Sequence, residues 1–176
     1  MDSANLNVFL SAAAELMKPF YKVFTNPPQQ WHPLLIHFPL VFLLLEAFFI
    51  LMFFITRDSH YEKLAFNFLK AGFISILIAM MAGIHDCGLN LGEGNKFLLG
   101  FQDRFKNAFR FKSSVTIHFW LAILLFIITL SRLIYCWRKG AQVLRGKGAS
   151  FYGFLVVIGL WVLLAMGYVG GLLNHQ

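Results

Sequence analysis

LLIHFPLVFLLLEAFFILMFFI, residues 34–55, is interrupted only by His37, Pro39 and Glu46. At 1.5 Å per helical residue it is long enough to cross the roughly 30 Å of hydrocarbon in a bilayer. Three further stretches have the same character: LAFNFLKAGFISILIAMMAGI at 64–84, which carries Lys70, VTIHFWLAILLFIITLSRLIY at 115–135, and residues 151–173. Each must be helical, because lipid offers the backbone of a short single segment no other hydrogen-bond partner. The expectation is an all-α integral membrane four-helix bundle over residues 31–176, preceded by an N-terminal segment, residues 1–30. Pro33 suits a first helical turn, where its missing N–H costs nothing. Pro39, one turn later, is expected to kink or loosen the helix start.

Composition excludes the soluble alternative. The chain is 59% hydrophobic and 13% charged, with 21 phenylalanines, too much apolar surface for so few charges to cover in water. The net charge of +7 lies in short basic clusters between apolar runs, which set topology and meet anionic headgroups rather than nucleic acid. Cys87 and Cys136 fall at opposite faces of the bundle and form no CxxC or CxxCH element, so neither a zinc knuckle nor covalent c-type haem is indicated. The N-terminal MDSANLNVFLSAAAELMKPF lacks the basic n-region and long apolar core of a signal peptide.

The connections differ. Arg57 to Lys63 is short and polar, and Trp137 to Ser150 is short and basic through Arg138, Lys139, Arg145 and Lys147. The link from Asp86 to Ser114 is long, opening with GLNLGEGN and continuing as FLLGFQDRFKNAFRFK at 97–112. There Phe97, Phe101, Phe105, Phe109 and Phe111 interleave with Arg104, Lys106, Arg110 and Lys112, the pattern of an amphipathic helix lying in the interface. Residues 9–24 are read the same way. Gly92–Gly94 is no phosphate loop, having neither a preceding strand nor a following Lys-Ser/Thr. The short basic connections favour their side as cytoplasmic, which puts both termini and the long link outside.

Alternating helix directions then gather the histidines. His32 and His37 open the first helix, His85 closes the second, His118 lies one turn into the third and His175 follows the fourth, leaving only His60 at the other face. His37 and His118 sit at matching depth, roughly 5 Å inside their apolar segments. Ionisable groups are costly there, and two imidazoles facing each other across a helical bundle are the usual ligands of non-covalent haem b. His37 and His118 are therefore the expected axial ligands, with His85 and His32 in reserve and Asp86 as an acceptor orienting a ligand imidazole. One haem is expected, or two if His85 and His175 form a second pair. His32 and His37 are about 140° apart around the helix and do not serve one iron. The competing reading is that these histidines only hydrogen-bond carbonyls or headgroups. Zinc or copper lacks a carboxylate or thiolate at a recognised spacing beyond Asp86 and Cys87.

Glu46, in mid-helix, is open to proton transfer or to pairing with Lys70 of the neighbouring helix. Gly153, Gly159, Gly167, Gly170 and Gly171 allow close helix approach or make room for a flat cofactor. No Ser-His-Asp or paired-carboxylate arrangement is visible, so a self-contained hydrolase is not expected.

The string WHPLLIHFP at 31–39 resembles the signature of a bacterial membrane family catalogued as domain of unknown function 2231. Its members open the first helix with His-Pro-x-x-Val/Ile-His-Phe-Pro. They tend to close the second with Gly-x-x-Asp and carry another histidine early in the third. His32, Pro33, His37, Phe38 and Pro39, then Gly83 and Asp86, then His118 match it. The resemblance implies that His32, His37, Asp86 and His118 act together, in a protein of cytochrome-like character.

The resulting expectation is a membrane b-type cytochrome subunit of the bacterial cytoplasmic membrane, its histidine face periplasmic. It would carry electrons between a quinone and a c-type cytochrome or other redox partner inside a larger complex. It is an electron-transfer subunit rather than a self-contained enzyme. The alternative is a haem-free structural or anchor subunit of a membrane assembly.

Overall fold

The computed structural model describes residues 15, 32–89, 95–107, 114–140, 143–146 and 148–173. The expected N-terminal interfacial segment, His175, and Phe109, Arg110, Phe111 and Lys112 lie outside the described residues. The chain divides into Met1–Trp31 and His32–Gln176, and the helices of the bundle belong to the second unit.

Helices α1 (His32–Leu35) and α2 (His37–Thr56) are separated by a turn at Ile36. The cause is Pro39, whose ring crowds the carbonyl one turn back and which has no N–H to give it. Arg57 ends α2 in the left-handed region (φ 61°), its N–H donating to Phe53 O at 2.8 Å. Helix α3 (Ser59–Leu89) starts at once. Asp58 Oδ1 accepts from the N–H of His60 at 2.8 Å, an acidic N-cap. The connection expected over Arg57 to Lys63 is thus only Arg57 and Asp58. Likewise α3 continues through His85, Asp86 and Cys87, so the long link begins later than the sequence suggests.

Helix α4 (Lys96–Asn107) carries the start of the Phe-rich amphipathic stretch. It crosses the end of α3 backbone to backbone. A Cβ on Gly100 would fall 1.8 Å from Ile84 O, and one on Gly88 1.6 Å from Lys96 O, so only glycine permits this approach. Phe97, Phe101 and Phe105 remain exposed. Helices α5 (Ser114–Lys139) and α6 (Ala149–Leu173) complete the bundle. The main packing is of α2 on α3 and α5 on α6, with α3 also on α5 and α2 on α6. Phenylalanines fill these seams: Phe49 stacks on Phe68 at 5.3 Å between α2 and α3, and Phe73 on Phe126 at 5.5 Å between α3 and α5.

Among the described residues four helices are long and apolar enough to cross a membrane: His32–Thr56, Ser59–Gly88, Ser114–Lys139 and Ala149–Gly170. Their outer surface is the apolar one, with Ile55 68% and Trp161 70% exposed, as lipid rather than water requires. Charge is inside. Glu46 and Arg132 are buried and ion-paired across α2 and α5, while the Tyr152 hydroxyl of α6 donates to Glu46 Oε1 at 2.7 Å. The guanidinium also lies 5.5 Å from the centre of the Tyr152 ring, and a Cβ on Gly159 would meet Arg132 Nη1 at 3.2 Å. Glu46 therefore does not pair with Lys70, which is exposed on α3. Apolar clusters flank this layer, one around Phe53, Leu69 and Val156 and one around Leu43, Leu125 and Leu163.

Removing one partner of a buried pair leaves the other charge without compensation. Arg132→Leu is expected to lower unfolding stability by roughly 3–5 kcal/mol, and Glu46→Leu/Arg132→Leu to recover most of it. Thermal melts of the detergent-purified variants measure both.

Candidate functional site

The end of the bundle where α1 and α5 begin encloses a cavity of about 200 Å³, walled by Ile36, Pro39, Ile76, Met80, Leu125 and Met166 among others. Into it project two imidazoles, His32 of α1 and His118 of α5. Their ring centroids are 5.7 Å apart and their planes perpendicular, at 88°.

Each ring is held by a neighbouring helix backbone. His32 Nδ1 lies 2.8 Å from Ala79 O of α3 and His118 Nδ1 3.1 Å from Met166 O of α6. A carbonyl only accepts, so Nδ1 carries a proton in both, and in the neutral ring Nε2 is the lone-pair nitrogen. Backbone carbonyls orient metal-binding histidines in this way. Glycines make the space: a Cβ on Gly83 would sit 3.0 Å from His32 Nδ1, and one on Gly170 3.2 Å from His118 Cε1. Of the α6 glycines, Gly159 and Gly170 accommodate a side chain of α5, whereas Gly153 and Gly167 face open space.

Asp86 acts on the main chain of this site. Its Oδ2 accepts from the backbone N–H of His32 at 2.7 Å, capping α1 from α3, where a carboxylate also complements the helix dipole. Its Oδ1 lies 3.4 Å from Nδ1 of His85, whose side chain is 43% exposed. Asp86 thus orients His32 through its backbone N–H. His37, first choice from the sequence, is exposed on the outside of α2 and does not face His118. The 140° between the two histidines of the first helix turns one inward and the other outward, and the inward one is His32. Arg104 of α4 lines the same cavity, a cation that sequence reasoning places only on an interfacial helix.

What can this pair hold? Bonds of about 2 Å from a metal to each imidazole nitrogen would set ring centroids roughly 6 Å apart, close to the spacing seen. Among the described residues no group of three or more His, Cys, Asp and Glu is placed to hold a metal ion. His32 and His118 are the side chains of this cavity that would hold a haem iron.

The fold and cavity define a multi-pass membrane protein, a four-helix bundle with a histidine-lined chamber at one end. The chain belongs to the family described as "Predicted membrane protein (DUF2231)", whose model matches residues 28–176. No curated protein and no solved structure matches it.

Gly83→Ala is expected to drive the His32 ring off the Ala79 carbonyl and cost about 1–3 kcal/mol. Gly167→Ala, on an open face of the same bundle, should gain roughly 0.5–1 kcal/mol from the better helix former. Melting curves of the two variants side by side test the contrast.

Proposed function

We propose that this chain is a membrane b-type cytochrome subunit, with His32 and His118 as the axial ligands of one haem. The observation carrying this reading is the pair itself: two imidazoles from different helices, each with Nδ1 tied to a backbone carbonyl and Nε2 left for a metal. Bound haem supplies a reversible one-electron couple. The protein's part is to fix both ligand rings, through Ala79 and Met166, and to fix the start of α1, through Asp86. The walls are mainly apolar, and Arg104, which lines the cavity, would offer a cation to the carboxylates of a porphyrin.

Quinone and a c-type cytochrome or similar redox protein are the proposed electron partners, met at the histidine end within a larger complex. That end is proposed to face the periplasm of a bacterial cytoplasmic membrane. Arg57, Lys63, Arg138, Lys139 and Arg145 lie on the short connections or helix ends opposite, where the positive-inside rule places the cytoplasm. A second reading has one specific support. Met80 and Met166 line the same cavity, and two thioethers with two imidazoles suit Cu(I).

The test is a reduced-minus-oxidised visible spectrum of protein purified with its native partners, with a pyridine haemochrome assay and metal analysis of the same sample. A b-type α-band lost in His32→Ala and in His118→Ala, and kept in His37→Ala, is the expected result. Stoichiometric copper without haem would move the assignment to the thioether site. A featureless spectrum with no bound metal would leave the haem-free structural subunit as the better account.

A further inference from the structure

At the opposite end of the bundle a second cavity, of about 600 Å³, opens between α3 and α5. Ser59, Lys63, Phe66 and Lys70 line it, at steps of four, three and four residues, and so form a single face of α3. Glu62 also lines it and is 2% exposed. Its Oε2 accepts from Arg145 Nη2 at 3.2 Å, while its Oε1 has no hydrogen-bond partner among the described residues. A carboxylate oxygen left without a donor in such a place is costly.

Among the described residues that line it, the charges do not cancel. Glu62 and Arg145 neutralise one another, which leaves the ammonium groups of Lys63 and Lys70 in excess. Lys70 lies two turns, roughly 10 Å, further along α3, inside the apolar stretch, where a lysine either snorkels toward the headgroups or meets an anion. The cavity therefore offers two cations, one acceptor in need of a hydroxyl or similar donor, and apolar walls from Phe66, Leu69 and Leu133.

We propose that this cavity binds an anionic glycerophospholipid with a hydroxylated headgroup, of the phosphatidylglycerol kind. Its phosphate pairs with Lys63 and Lys70, a headgroup hydroxyl donates to Glu62 Oε1, and an acyl chain lies along the apolar wall. Free phosphate carries at least as much negative charge but no chain for that wall. A choline headgroup brings a second cation toward the lysines and no donor for Glu62. Basic pockets between membrane helices are general sites for anionic lipid. The site is separate from the histidine chamber and stands whether or not that chamber holds haem.

The experiment is a lipid titration of the detergent-purified full chain, read by thermal melting. The probes are dioleoyl phosphatidylglycerol, dioleoyl phosphatidylcholine, dioleoyl phosphatidylethanol and inorganic phosphate. Phosphatidylglycerol should raise the melting temperature at concentrations where phosphatidylcholine and inorganic phosphate do not. Phosphatidylethanol, which keeps the charge but lacks the hydroxyl, should bind more weakly. Each of Lys63→Gln and Lys70→Gln should weaken phosphatidylglycerol binding about fivefold, and the double variant about 25-fold. Lys63→Arg/Lys70→Arg should retain it. Both lysines are exposed, so the variants should melt like wild type without lipid. Equal protection by phosphatidylcholine or by inorganic phosphate would overturn the proposal. So would undiminished protection of the double glutamine variant, and equal binding of phosphatidylethanol would overturn the assignment of the headgroup to Glu62.

Discussion

The ion pair of Glu46 with Arg132, joined by the Tyr152 hydroxyl, ties α2, α5 and α6 together inside the bundle. Lipid cannot solvate either charge, so a sliding or rotation that separates them is penalised far more than the loss of an apolar contact. Apolar surfaces in a membrane otherwise give little direction, since lipid tails cover a helix about as well as another helix does. The pair supplies the missing directionality. With α2 and α5 in fixed register, α1 and the start of α5 arrive together, and His32 and His118 meet across the chamber.

The two ends of the bundle carry opposite chemistry. The histidine end holds two imidazole rings, two carbonyl acceptors, and a carboxylate that caps a helix start. The other end is cationic, with an aromatic fringe of Tyr135 and an 87% exposed Trp137 at the level such residues occupy in membrane proteins. The two cavities lie at opposite ends of the bundle and share no lining residue.

The four spans are legible directly, because runs such as 34–55 have no other physical solution. Their ends are not. Asp58 caps α3 one residue after α2 closes, and a composition count sees Ser59–Lys63 only as polar. The histidine end is also legible, since helix alternation fixes it without any knowledge of packing. Which histidine of the first helix turns inward is not. That helix is apolar on every side, so its pattern has no phase to say which face is buried. Arg132 escapes a reading of the sequence because it stands near the end of its apolar run and looks like part of the basic loop beyond. A signal is present: Leu125, Thr129, Arg132 and Cys136 recur at helical spacing and are all buried, which puts the arginine on the inner face opposite Glu46. Lys70, the other cation inside an apolar run, competes for that role until packing decides between them.

Helix α3 has 31 residues, roughly 46 Å at 1.5 Å per residue, about half as long again as the hydrocarbon it crosses. The surplus lifts Asp86 and Cys87 toward headgroup depth and provides the ledge on which α4 rests. It also makes the bundle a gauge of its surroundings. A thin bilayer is met by tilting α3, and through the Gly88–Gly100 crossing that tilt carries α4, and with it Arg104, relative to the chamber. A change in the tilt of α3 would thus reach the wall of the histidine cavity through α4.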